Sequence, residues 1–328
     1  MIRNLCRGAL ACAAILLLVA GVGAGSVAAQ TVAISTLPPG AINHLQASAI
    51  AKVVQENSDL QMRLITFNSP AAINGAAQNK QAEFAYTSAD EAAFAFNGEG
   101  EYKGKAMKDL RVAFTVFPFR VGAIVRNNSD IKKVSDLKGK RIATEWTAFK
   151  QGIDFWNAML GTVGLSLKDV SPVPTTDLLR AAEDFKAGKS DAFTFAVGGP
   201  KVAEIHASIE GGVRFLSFDT TPEALKGMQA VRQEFHIAQV QPAPHWPGII
   251  GPTNLMEYYI VLMTNKDVRD DLVYKVVKTA YGNKPGLVAG HPSFAAFTQE
   301  GMAVQHERLQ YHPGAIKFFK EVGIWKGR

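Results

Sequence analysis

The chain has 328 residues, is 47% apolar and carries a formal net charge of +6. That length allows two domains with cores of their own, and that composition excludes an intrinsically disordered chain. Two of the positive charges, Arg3 and Arg7, lie in the first 29 residues, which hold no acid, so +4 is spread over the rest. The basic clusters Lys103 to Lys108 and Lys132 to Arg141 are interrupted by Gly or Asp. They read as solvated turns and not as a nucleic-acid stripe, leaving at most a weak attraction for anionic solutes.

In chain order, the first feature is a secretory signal. Arg3 and Arg7 form the positive region, Ala9 to Ala20 the apolar core, and small residues at Val27 and Ala29 predict cleavage after Ala29. The apolar run is too short for a membrane span. Both cysteines, Cys6 and Cys12, fall in this signal. The exported chain is therefore expected to use no disulfide, thiolate nucleophile or thiolate metal ligand.

From Gln30 onward the pattern switches repeatedly between strand and helix periods. "TVAIST" predicts a strand, Pro38, Pro39 and Gly40 a turn, and Leu45, Ala49 and Val53 one face of a helix. "QMRLITF" is a strand, residues 71–80 a small-residue helix and "AEFAYTS" the next strand. "LRVAFTVF" and "VGAIVR" read as two strands separated by Pro118. "RIATE" is a strand and Ile153 to Leu160 a helix. Thr175 and Thr176 are candidate caps for a helix bearing Leu178, Ala182 and Phe185 and ended by Gly188. "DAFTFAV" is a strand, and Val268 to Tyr281 a helix.

Alternating elements imply an α/β architecture with mainly parallel sheets. With no linker or repeat between two α/β units, the chain is expected to cross between them more than once. Ligands of such sheets sit at the carboxyl ends of strands. The loops to search are 36–44, 86–91, 117–121, 144–152, 197–201 and 245–254.

The stretch Val121 to Thr144, a strand, a turn, a short helix, "DLKGKR" and a second strand, resembles the start of the second lobe of periplasmic solute-binding proteins. With "SDLKGKRIAT", "KSDAFTFAVGGP", "DDLVYKVVKTAY" and "LQYHPGAIKFFKEVG" in order, the chain resembles the TAXI class of TRAP-transporter solute receptors along essentially its whole exported length. The resemblance implies a type II periplasmic-binding-protein fold: two α/β lobes, mainly parallel sheets and a ligand cleft between them. It implies a periplasmic receptor that hands a small organic anion, a carboxylate or amino-acid-like solute, to integral-membrane subunits of an ion-driven transporter. The expected division is 1–29 signal peptide, 30–118 with 264–328 as lobe 1, and 119–263 as lobe 2. The expectation is a monomer with no cofactor, no metal site, no catalytic residue and no nucleic-acid partner.

The departures from the family fall on the cleft. Asn43 and His44 stand where a tyrosine pair is usual, "EWTAFKQG" replaces a Gly-Ser-Gly-Thr loop, and Ile73, beside Asn74, replaces an Asn. The scaffold transfers; the ligand does not transfer residue by residue.

The candidate ligand residues each have a plainer reading. Arg120, beside Pro118, suits bidentate capture of a carboxylate, or is a strand-edge cation. Trp146, Lys150 and Gln151, with Phe149, either present an aromatic wall, a cation and a helix start to an anion, or pack and solvate. Asn43 reads as a helix cap more than a ligand contact, and His44 is open between contact and scaffold. Tyr86, Thr87 and Ser88 offer hydroxyls ahead of Asp90 and Glu91. Gly198, with Gly199 and Pro200, shapes a turn whose amides can face a cleft, and Trp246 either closes over a ligand or anchors its loop. Motifs of hydrolases, zinc enzymes and nucleotide binders are missing. Two alternatives stay open: a receptor for an ATP-driven importer, which shares the fold, and a secreted hydrolase built from carboxylates that converge in space.

Overall fold

A computed structural model describes residues 30–327 of the chain. The expected signal segment, residues 1–29, lies outside the described residues. The first α/β unit runs β1 (Gln30–Thr36), α1 (Ile42–Asn57), β2 (Leu60–Thr66), α2 (Pro70–Gln78), β3 (Phe84–Ser88) and α3 (Ala89–Asn97). Strand β4 (Leu110–Arg126) leads to β5 (Arg141–Trp146), α4 (Gln151–Gly161), β6 (Ser171–Thr175), α5 (Leu178–Lys186), β7 (Ala192–Ala196) and α6 (Pro200–Ser208). Then come β8 (Val213–Phe215), α7 (Pro222–Gln229), β9 (His236–Val240) and β10 (Thr253–Asn265). Helices α8 (Asp270–Gly282), α9 (Lys284–Gly290) and α10 (Pro313–Glu321) complete the chain.

One continuous sheet runs β2-β1-β3-β10-β4-β7-β5-β6, with β8 on β4 and β9 on β10. The outer strands on both sides pair in parallel, as alternating strands and helices require. The centre is antiparallel, because β4 and β10 run past each other there. The C-terminal part of β10, Ile260 to Thr264, pairs with β3, whereas its N-terminal part, Thr253 to Glu257, pairs with β9. Strand β4 joins β10 along its first part and β7 over Val121 to Val125. The two long strands therefore belong to both lobes and carry the crossovers between them.

Pro118 does not separate two strands, contrary to expectation. Strand β4 is continuous through it, with Pro118 opposite Tyr259. The register skips Val116 between Thr115 and Phe117, so the proline sits by a bulge, where a missing N–H breaks no regular ladder. Helix α1 buries Ala47, Ile50, Ala51 and Val54, a full helical stripe. That rotates Leu45, expected on the core face, to the surface. Helix α5 is capped by Asp177, whose Oδ1 accepts from Arg180 N at 3.0 Å, and not by Thr175 or Thr176. Gly139 takes φ +74° after the short 3-10 turn Val134–Leu137, the left-handed stop that its position predicts. The main core is one connected cluster that includes Phe84, Phe114, Trp156, Phe185 and Phe193, with a small satellite of Ala33, Ala76 and Ala82.

Candidate functional site

A cavity lies where the carboxyl ends of β1, β3, β5 and β7 face one another across β4 and β10. The first lobe contributes Leu37, Ile42 and Asn43, then Pro70 and Ile73, then Tyr86, Thr87 and Ser88. The second contributes Phe149, Gln151, Phe155, Leu178 and Phe195, and the crossing strands add Phe119, Val121, Tyr258 and Ile260. Its volume is about 40 Å³. At roughly 10–15 Å³ per water that is room for a few waters and not for an organic solute in this arrangement of the lobes.

One wall is aromatic and continuous. Phe155 stacks on Tyr258 at 5.6 Å between centroids, Phe119 leans on Tyr258 at 5.7 Å, and Phe149 touches Phe155 at 6.1 Å. The polar groups are Asn43, Tyr86, Thr87, Ser88 and Gln151, all neutral; burial pushes the Tyr86 and Tyr258 phenols well above their ordinary range. Tyr86 donates to Gln46 Oε1 at 2.9 Å, and Gln151 Nε2 donates to Ser88 Oγ at 3.0 Å and Asp90 Oδ2 at 2.9 Å. Helices α1, α3 and α4 begin at this cavity without a side-chain cap. Their first turns direct partial positive charge toward it. No Lys, Arg, His, Asp or Glu is among the lining side chains.

The structure brings Asn43, Tyr86, Thr87, Ser88 and Gln151 together at this cavity and places the other candidates elsewhere. Asn43 is not the cap of α1; Ala41 holds that position, and Asn43 is the second helical residue, turned to the cavity. His44, next along, is half-buried and sets its Nδ1 3.3 Å from the Leu37 carbonyl. Arg120 is committed to Glu257, 2.6 Å away. It lines a neighbouring pocket of about 260 Å³ with Pro118, Val240 and Trp246, which shares Ile42 and Phe119 with the cavity. Lys150 is exposed at the α4 N-cap. Trp146 is buried beneath the cavity wall, over Gly152 and against Phe149.

Gly198 has φ +75°, and a Cβ there would lie 3.1 Å from Trp246 and 3.7 Å from Ile42. It brings a second-lobe turn against α1. The residues missed from sequence are mostly apolar: Phe119, Val121, Phe195, Tyr258 and Ile260 read as strand core, because composition does not reveal which core residue borders a void. Pro70, Ile73 and Leu178 lie outside the loops singled out. The change to Ile73 was their one visible signal, and it puts an apolar side chain in the cavity while Asn74 is buried beside it.

A two-lobed α/β body, crossed by two long strands and with its cavity at the strand ends between the lobes, is the type II periplasmic-binding-protein fold. Solved structures share it. One described as a periplasmic transporter has 14% identity and a TM-score of 0.57, covering 91% of this chain and 94% of that one. PhnD1 from Prochlorococcus marinus, in complex with methylphosphonate, has 9% identity and a TM-score of 0.54, covering 90% and 99%. The ligand-binding component of an ABC-type import system from Staphylococcus aureus, with zinc bound, has 11% identity and a TM-score of 0.52, covering 91% and 94%. Residues 34–323 match the NMT1-like family, and the chain belongs to it.

Proposed function

We propose that this protein is the periplasmic solute receptor of a membrane importer. Its solute is a small organic acid with an apolar body, held in the cavity between the lobes. The observation that carries this reading is the composition of that cavity: an aromatic wall, neutral hydrogen-bonding groups and uncapped helix starts, with no carboxylate, imidazole, ammonium or guanidinium among the lining side chains. Such a site suits capture more than turnover. The anionic head rests on the N-terminus of α1 near Asn43, where backbone amides and the helix dipole favour negative charge. It does not need Arg120 or Lys150. The opposite end, by Ser88 and Gln151, backs onto the carboxylates of Asp90 and Glu91 and suits a neutral donor group.

We place the lobe boundary near Pro118 on β4 and near Tyr259 on β10, where the pairing partners change. That returns the C-terminal half of β10 to the first lobe. For the membrane partner we favour an ATP-driven importer, in line with the similarity to an ABC-type binding component. An ion-driven TRAP-type partner is the second reading, supported by the "HPGA" run at His312 to Ala315 before α10 and the other TAXI-like stretches. Native mass spectrometry of protein purified from the periplasm tests the receptor reading: a small acid should co-purify at one per chain. Turnover of that compound would overturn it. Uptake into vesicles holding candidate membrane subunits, with ATP or an ion gradient alone, separates the two partners.

A further inference from the structure

Beside the cavity lies a charge cluster whose members are not among the lining side chains. Arg232, on the segment between α7 and β9, is 4% exposed. Its Nη1 donates to Asp90 Oδ2 and Glu91 Oε2, both at 2.8 Å, on α3 of the first lobe. Its Nε and Nη2 donate to Asp154 Oδ2 on α4 of the second lobe, at 3.0 and 2.5 Å. The guanidinium carbon stands 3.8 Å from the centre of the Phe94 ring, also on α3. Glu91 accepts a further bond from Tyr102 at 2.6 Å. Farther along the same seam, Arg308 pairs with Glu99 at 2.5 Å and with Glu234, two residues past Arg232, at 3.0 Å.

We propose that Arg232 is an interlobe latch and a positioning residue for the cavity. Its bonds cross from the second lobe to the first, so they exist only when the lobes are closed. The same Asp90 Oδ2 that accepts from Arg232 also accepts from Gln151, which in turn holds Ser88. Closure, latch and the polar end of the cavity are therefore one hydrogen-bond network. A guanidinium buried among carboxylates is costly to leave unpaired, so opening must hydrate the whole cluster. The latch biases the lobe equilibrium toward closure and raises solute affinity by differential stabilisation of the closed form. This holds for any solute, so it stands or falls apart from the organic-acid reading.

The test is small-angle scattering of the protein without added solute. Wild type should match the radius of gyration calculated from the closed structure. Arg232→Met, which keeps the stem over Phe94 and removes the guanidinium, should shift to a larger radius of gyration. Asp154→Asn, at the exposed edge of the cluster, should shift it less. If Arg232→Met does not fold, Arg232→Met with Asp90→Asn and Glu91→Gln removes every charge at the centre and should also open. A wild-type radius in the folded variants, or a wild type that is itself open, would overturn the latch. So would failure of all the variants to fold, since the cluster would then be core structure.

Discussion

Arg120 and Glu257 lie directly opposite each other on β4 and β10, with Nη2 and Oε2 2.6 Å apart at the crossover between the lobes. The pair turns a cation that the sequence offers as an anion clamp into a cross-strand tie. Arg120→Ala should therefore leave affinity for the co-purified acid within about threefold, and cost about 1 kcal/mol of stability, as partly exposed ion pairs do. Lys150→Ala should change neither. Calorimetry and denaturant melts check both, and a tenfold loss of affinity in either variant would return that cation to the site.

Thr87 is buried and lines the cavity, where its hydroxyl is placed to hydrogen-bond a solute. Thr87→Val keeps the volume and removes the hydroxyl. If the solute takes that bond, affinity should fall about five- to tenfold, the worth of one hydrogen bond of about 1 kcal/mol. Unchanged affinity with an unchanged melting temperature would place the solute elsewhere.

Gly152 opens the second turn-forming position of α4 to Trp146. A Cβ there would meet the indole at 2.4 Å, closer than any real contact. Gly152→Ala should displace Trp146, destabilise the fold by about 1–3 kcal/mol and shift tryptophan emission. Because Trp146 supports Phe149 in the cavity wall, solute affinity should fall with it.

His306 sets Nε2 2.7 Å from Thr115 Oγ1 and stacks on Tyr311, and burial lowers its pKa to about 4. The unfolded imidazole titrates near 6.5, so at lower pH the unfolded chain binds the extra proton first. The neutral ring's contribution is intact above about pH 6.5 and is lost as pH falls toward 4. His306→Gln should flatten the stability profile between those values in urea melts. An unchanged acid limb would show that other groups set it.

Much of the fold was legible because local periodicity reports directly on secondary structure. The helix containing Ala49 and Val53, the glycine stops at Gly139 and Gly188, and the alternating strands and helices are all properties of short segments. The loops after strands also hold Asn43, Tyr86 to Ser88 and Gln151, which line the cavity. Tertiary structure decided the rest. It set the continuity of β4 through Pro118, the partner of Arg120, the burial of Trp146, and the meeting of Arg232 with Asp90, Glu91 and Asp154. Apart from Trp146, which packs on nearby Phe149 and Gly152, each depends on residues tens of positions or more apart. A side chain's charge is written in the sequence, but whether that charge is free for a ligand depends on which distant group folding sets within hydrogen-bond reach.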